Sequence, residues 1–134
     1  ITDDDSRRAG YASRSELLEG LSGREGTVFR ISLCLSGEDP RAALAQQQPT
    51  PEELVALDQR LRRLKWAIDV LRLIHRWPGR RAPDLADEFG LPTDRFKPRV
   101  RRLKEFGLTK SLKVGYELSP RGRCVLEHLE RGPA

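Results

Sequence analysis

The 134-residue sequence contains no methionine and few of the residues that build metal or nucleophilic sites. Its two cysteines, Cys34 and Cys124, lie far apart, and its two histidines, His75 and His128, are isolated. Such spacing is typical neither of a disulfide framework nor of a metal-binding motif. We therefore predict no cofactor, no metal site and no catalytic residue, and we expect both cysteines to be buried free thiols.

Long apolar stretches are also missing from the sequence. No run approaches the roughly 20 residues that a membrane-spanning helix requires. The chain does not open with a charged segment followed by an apolar one, as a signal peptide does. These features predict a cytoplasmic protein. Because the sequence lacks even an initiating methionine, we expect it to be part of a longer translation product.

The net charge of +5 conceals a strong asymmetry along the chain. Residues 1–59 carry six basic and eleven acidic side chains, a net charge of −5. Residues 60–104 carry fourteen basic and five acidic side chains, a net charge of +9, and residues 105–134 contribute +1. A local excess of this size predicts contact with a polyanion more strongly than the total charge does.

The N-terminal third predicts two short helices and a strand. Thr2 and Ser13 are each followed three positions later by an acidic residue, the spacing of a helix capping box. Residues 26–35 are rich in β-forming side chains and bounded by glycines, so we predict a strand there. A single strand leaves its backbone groups unpaired, so we expect this one to pair with another segment or another chain. Residues 37–51 contain three prolines and a glutamine run, which predicts a linker.

A leucine-rich stripe follows the linker. Thr50 and Pro51 suit the start of a helix, which we predict to span residues 52–76. Its apolar residues alternate in steps of three and four, giving two per heptad. This spacing is compatible with packing in the domain's own core or with the seam of a homodimer. The stripe consists of Leu54, Leu57, Leu61, Leu64, Ile68 and Leu71.

Three further helices and a hairpin are predicted in the remaining sequence. The helices span residues 82–89, 94–106 and 120–131, and the β-hairpin spans residues 108–118. The order helix, helix, helix, hairpin, helix, with a glycine-containing turn between the second and third helices, is that of a winged helix-turn-helix domain. The predicted fold class is therefore α+β.

Residues 95–107, Arg-Phe-Lys-Pro-Arg-Val-Arg-Arg-Leu-Lys-Glu-Phe-Gly, hold six basic side chains and one acidic side chain. Phe96, Val100 and Leu103 recur at helical spacing and are predicted to face inward. Pro98 is predicted to lie in the first helical turn, where its missing N–H is tolerated. The basic side chains could form a solvated face or a nucleic-acid surface. The candidate nucleic-acid-binding residues are Arg95, Arg99 and Arg102, predicted to point outward, with Lys97, Arg101 and Lys104 beside them and Lys110 and Lys113 on the hairpin.

About 50 residues resemble the winged-helix domains of bacterial regulators. The matching pieces are Gly90-Leu91, Arg101-Arg102-Leu103, Gly107-Leu108 and the run Leu-Ser-Pro-Arg-Gly-Arg at residues 118–123. The resemblance implies a helix-turn-helix with a recognition helix and a wing. It is more specific for the fold than for the function, because this fold also serves in protein interaction. Pro98 departs from the pattern, since such regulators usually have a polar residue there.

Residues 1–17 match the pattern I-T-D-x-D-A-x-x-A-G-[FY]-x-S-x-x-E-L, with Ser6 in place of alanine, and Val-Phe-Arg-Ile follows at residues 28–31. This resembles the C-terminal half of an ASCH domain, a PUA-like β-barrel fold. Actinobacterial-type proteins that join such a domain to a winged helix resemble the whole chain. The resemblance implies an RNA- or nucleotide-related role. The Lys/Glu/Arg motif of that family belongs to its N-terminal half and is not in this sequence, so no site residue is carried over.

These observations predict a partial ASCH-like segment at residues 1–36, a linker at 37–51 and a winged helix-turn-helix domain at 52–134. The predicted function is nucleic-acid binding, by a DNA-binding transcription regulator that uses the 94–106 helix and the 108–118 wing. The alternative is an enzyme that processes RNA or a modified nucleotide. Its active site would lie in an N-terminal barrel half, and the winged helix would dock the substrate. A protein-interaction adaptor is a third, weaker interpretation.

Overall fold

The computed structural model describes residues 1–132, and in this range it contains eight helices and one two-stranded sheet. The fold class is α+β and mostly helical. The last two positions of the predicted 52–134 domain lie outside the described residues. The chain divides into two compact units, Ile1–Ser36 and a second unit that begins at Gly37. None of the described helices has the length and apolar character needed to cross a membrane.

The first unit contains helix α1, Asp3–Arg8, and helix α2, Arg14–Leu21. The Thr2 hydroxyl accepts a hydrogen bond from the Asp5 N–H at 3.1 Å, and the Asp5 carboxylate accepts one from the Thr2 N–H at 2.9 Å. This reciprocal cap is the one that the spacing of the two residues predicts. The Thr2 backbone N–H, with its hydroxyl, also holds the pKa of the Asp5 carboxyl below its usual range.

The predicted strand at residues 26–35 is wrong: this segment has no regular secondary structure. Phe29, Leu33 and Leu35 are 77%, 91% and 95% exposed. Within residues 1–36 the chain supplies two helices and no second extended segment, so the backbone groups of this segment have no strand to pair with.

Cys34 is exposed and Cys124 is half-buried, so the prediction of two buried thiols is also wrong.

The second unit follows the predicted order of elements. The three helices predicted after the leucine stripe are confirmed to within a residue or two, and so is the hairpin. The two strands of the hairpin pair antiparallel, with Lys110 opposite Glu117. The helices are α3 Pro40–Gln46, α4 Pro51–Arg63, α5 Ala67–Arg76, α6 Ala82–Phe89, α7 Thr93–Glu105 and α8 Pro120–Arg131; the strands are β1 Thr109–Ser111 and β2 Tyr116–Leu118.

The stretch predicted as a linker contains α3, which packs against β1 and α8. Ala45 is 4% exposed. Leu44 lies over Gly107, where an added Cβ atom would stand 2.8 Å from its Cγ. Residues 40–46 are therefore part of the folded second unit.

The single helix predicted at residues 52–76 is two helices, because α4 ends at Arg63 and α5 begins at Ala67. Leu64 has a non-helical ψ of 82°, and the Ala67 N–H donates to its carbonyl at 2.8 Å. The break lies in a stretch without glycine or proline. It changes the chain direction so that both helices pack against α8.

The leucine stripe packs in the core of the second unit. Leu57, Leu61 and Leu71 are buried there, and Leu54, Leu64 and Ile68 are half-buried against the same cluster. The core-packing alternative accounts for all six residues within one chain. The homodimer stays a prediction.

The first turn of α8 closely approaches Gly107 and Leu108, the two residues before β1. The Ser119 N–H donates to the Leu108 carbonyl at 3.0 Å. The Ser119 hydroxyl donates to the Gly107 carbonyl and accepts from the Gly122 N–H. A Cβ atom at Gly122 would lie 1.9 Å from the Leu108 carbonyl oxygen. The Leu-Ser-Pro-Arg-Gly-Arg run therefore fixes the contact between the hairpin and α8.

Arg121 of the same run joins α8 to α4. Its side chain is 5% exposed, and two of its nitrogens lie 3.4 Å from the two carboxylate oxygens of Glu53. The Thr50 backbone N–H and this guanidinium hold the pKa of the Glu53 carboxyl below its usual range. Because the guanidinium is buried, losing this ion pair would leave an unpaired charge inside the protein. The pair therefore favours the observed position of the first turn of α8 against α4.

We predict that Gly122→Ala destabilises the second unit by about 2 kcal/mol or more, because the methyl group cannot be accommodated without moving α8 away from Leu108. Urea denaturation followed by circular dichroism measures the loss. The matched control is Gly20→Ala in α2, where the new Cβ would meet Tyr11 at an ordinary contact distance of 3.6 Å. Equal stability of the Gly122→Ala protein and the natural chain would contradict the prediction.

Candidate nucleic-acid interface

Helix α7 buries one face and exposes its basic side chains on both flanks. Phe96 and Leu103 are fully buried and Val100 is 3% exposed, so the predicted inward stripe is confirmed. Pro98 is the sixth residue of the helix and not in its first turn as predicted. Its missing N–H leaves the Asp94 carbonyl without a helical partner, and both residues are exposed to solvent.

The far flank of α7, defined here as Arg95, Arg99 and Arg102, is largely engaged with neighbouring side chains. The Arg99 guanidinium carbon lies 5.3 Å from the Trp66 ring centroid and 5.5 Å from that of Phe89. Arg102 lies 5.5 Å from the Phe106 ring centroid and 3.7 Å from the Glu105 carboxylate. Arg95 and Arg102 are nevertheless exposed, as predicted, whereas Arg99 is half-buried.

The hairpin flank of α7, defined here as Lys97, Arg101 and Lys104, faces a groove instead. These three residues border an open groove of about 280 Å³ together with Ser111 and Tyr116. The Lys104 ammonium lies 3.4 Å from the Ser111 hydroxyl. Neither Lys97 nor Arg101 forms an ion pair with any carboxylate in residues 1–132.

The outermost line of α7, opposite the buried stripe, is not basic. At 100° per residue, Asp94, Pro98 and Glu105 occupy this line. Two acidic side chains therefore separate the two basic flanks. A polyanion that approaches α7 is favoured along a flank more than along this line.

The two lysines of the hairpin differ in their surroundings. Lys110 lies directly opposite Glu117, and their charged atoms are 2.9 Å apart. Lys113, in the turn between the strands, is exposed and forms no ion pair within the described part of the chain. Lys113 is therefore the more available of the two cations.

The turn between α5 and α6 holds the hairpin in place. The Gly79 N–H donates to the Tyr116 carbonyl at 2.8 Å. Gly115 has a φ of +77°, and a Cβ atom there would lie 2.2 Å from the Arg80 carbonyl oxygen. The same turn contributes Arg81, which lines a groove of about 420 Å³ with Lys97 and Lys113. Arg81 was not among the predicted site residues, and its guanidinium lies 3.2 Å from the Asp84 carboxylate.

Helix α3 brings an ion pair to the same surface. Arg41 borders the groove of the hairpin flank, and its guanidinium lies 2.9–3.1 Å from the Asp39 carboxylate. Hydrogen bonds from the Arg41 side chain and backbone hold the pKa of the Asp39 carboxyl below its usual range. Asp39 in turn raises the pKa of Arg41. Arg41 was missed because residues 37–51 were interpreted as a linker.

No protein-family model, curated protein or solved structure was found to match this chain. The resemblances to winged-helix regulators and to an ASCH domain therefore stay predictions. Within residues 1–132, no group of three or more histidine, cysteine, aspartate or glutamate side chains is arranged to hold a metal ion.

We predict that Gly115→Ala detaches the hairpin turn from the α5–α6 turn without unfolding the core. The new side chain would overlap the Arg80 carbonyl, and the left-handed backbone disfavours alanine. Amide exchange at Gly79 should accelerate, because its hydrogen bond to Tyr116 is lost. Lys113→Ala, in the same turn, is the matched control and should leave this exchange rate unchanged. An unaltered Gly79 rate in the Gly115→Ala protein would show that the close approach does not fix the hairpin.

Proposed function

We propose that the second unit is a winged helix-turn-helix domain that binds double-stranded DNA, and that the chain acts as a transcription regulator in the cytoplasm. The proposal assigns α5, α6 and α7 to the three helices, α7 to DNA recognition and the hairpin to the wing. The order of elements supports this assignment, as does the short turn from α6 to α7 through Gly90, whose φ of +78° ends α6.

The observation that carries the proposal is the uncompensated charge of α7. Of its six basic residues, Arg102 alone lies within ion-pair distance of a carboxylate among residues 1–132. Opposite charges at i±3 or i±4 stabilise a helix when they pair. Asp94 and Glu105 stand at these spacings from Lys97 and Arg101, yet among the described residues the only such pair on α7 is Arg102 with Glu105. The local excess of cations favours a partner that brings its own negative charge.

The shape of α7 favours DNA over double-stranded RNA. Its 13 residues span about 20 Å, and the helix is exposed on the side away from the core. The major groove of B-form DNA admits an α-helix, whereas that of A-form RNA is too deep and narrow for side chains to reach the bases. Arginine, which outnumbers lysine on α7, suits contacts to both guanine and phosphate.

We expect the full chain to bind a fluorescent 30-base-pair DNA with an affinity that falls steeply with salt. If about four phosphates are contacted, the slope of log K against log salt is about −4. A double variant, Arg101→Ala with Lys113→Ala, should weaken binding by roughly tenfold or more and reduce the slope by about two units. Fluorescence anisotropy at several salt concentrations measures both quantities.

The matched control is Arg123→Ala on α8, which removes an exposed cation that lies outside the grooves described above. It should leave the affinity and the slope nearly unchanged. A double-stranded RNA of the same length should bind more weakly. No binding to DNA at low salt would rule out the proposed function, and the basic residues of α7 would then be a solvated face.

A further inference from the structure

A continuous basic groove runs along the hairpin flank of α7. We define the basic groove by the residues that line its two connected parts. Both parts share Lys97, Ser111 and Tyr116, so the surface is continuous from the start of α6 to α3. The cations that line it are Arg81, Lys113, Lys97, Arg101, Lys104 and Arg41.

The size of the basic groove matches a short stretch of nucleic-acid backbone. Lys97 and Lys104 are seven residues apart on α7, about 10 Å along the helix axis. One strand of duplex DNA carries about three phosphates over this length. Arg81 and Arg41 extend the row of cations at its two ends. A compact anion would engage one or two of these side chains, whereas a phosphate strand engages the whole row.

Helix α3 is held firmly enough to present Arg41 to a ligand. Ala45 is buried, and Leu44 packs over Gly107. Arg41 lies four residues before Ala45 and one turn from Leu44 on the same short helix. The segment that carries Arg41 is therefore already ordered in the folded protein, so that ligand binding loses little conformational entropy there.

Arg41 already has an anionic partner, the Asp39 carboxylate. Both side chains remain accessible, with 48% and 42% exposure. Asp39 also lines a small hollow with Lys104 and Lys110, so its negative charge lies beside the cations at one end of the basic groove. A phosphate that binds at this end has to compete with Asp39 for the Arg41 guanidinium.

We propose that the basic groove holds the sugar-phosphate backbone of one DNA strand, and that Arg41 of α3 contacts a phosphate by exchanging its Asp39 partner for it. The inference rests on the proposed function and adds two elements to it. The backbone contacts come from the hairpin flank of α7 rather than from the far flank. Asp39 is a competing carboxylate that lowers the affinity.

The first experiment compares two triple variants that remove the same charge from the same helix. One is Lys97→Gln, Arg101→Gln, Lys104→Gln, and the other is Arg95→Gln, Arg99→Gln, Arg102→Gln. The hairpin-flank variant should lose roughly 100-fold or more in DNA affinity and about three units of salt slope, whereas the far-flank variant should lose less than about tenfold. Circular dichroism melting checks that both variants remain folded. Equal losses in the two variants would overturn the assignment of the backbone to the basic groove.

The second experiment tests Arg41 and Asp39. Arg41→Gln should weaken DNA binding by roughly fivefold and reduce the salt slope by about one unit. Asp39→Asn should strengthen binding by roughly threefold or more, because asparagine keeps the helix-capping acceptor at the start of α3 and removes the charge. This gain should shrink in the Arg41→Gln background.

The outcomes separate the inference from the function it rests on. If the natural chain binds DNA but the affinity does not respond to Arg41→Gln or Asp39→Asn, α3 does not contact DNA. The inference then fails, while the proposed function stands. If the natural chain does not bind DNA, the inference and the proposed function both fail. A circular dichroism spectrum and a thermal midpoint matching those of the natural chain confirm that neither substitution acts by unfolding α3.

Discussion

The contact between the first turn of α8 and the end of α7 positions the whole basic surface. Ser119 bonds to the carbonyls of both Gly107 and Leu108, and Gly122 lets the α8 backbone reach the Leu108 carbonyl. These bonds hold Gly107 and Leu108, which connect α7 to β1, against the start of α8.

The two basic flanks of α7 differ because they pack against different neighbours. One flank of α7 lies against Trp66 and Phe89, whose ring faces attract the Arg99 guanidinium without neutralising its charge. The other flank faces the hairpin, where Ser111 and Tyr116 supply polar atoms but no carboxylate. Within the described residues, the three cations of the hairpin flank pair with no carboxylate, whereas on the far flank Arg102 pairs with Glu105. A stable protein tolerates this repulsion because the side chains remain solvated.

The ion pair of Asp39 and Arg41 shows how an element outside the helix-hairpin-helix arrangement reaches this surface. Helix α3 has only seven residues and would be marginal by itself. It is stable here because Leu44 and Ala45 pack against Gly107, β1 and α8. Residues 39–46, predicted as part of a linker, therefore contribute both a cation and an anion beside the basic groove.

The sequence by itself determined the elements that carry strong local signals. Caps at Thr2, Thr50 and Ser119 start their helices where expected, and the periodicity of Phe96, Val100 and Leu103 identifies the buried face of α7. Only the tertiary structure decided the rest. It broke the 52–76 helix at Leu64, where no glycine or proline marks a break, because two shorter helices can both pack against α8. It left residues 27–36 unpaired, because a strand needs a partner that local sequence does not specify. It also decided the surroundings of the basic residues of α7, because these depend on neighbours distant in sequence, such as Trp66 against Arg99.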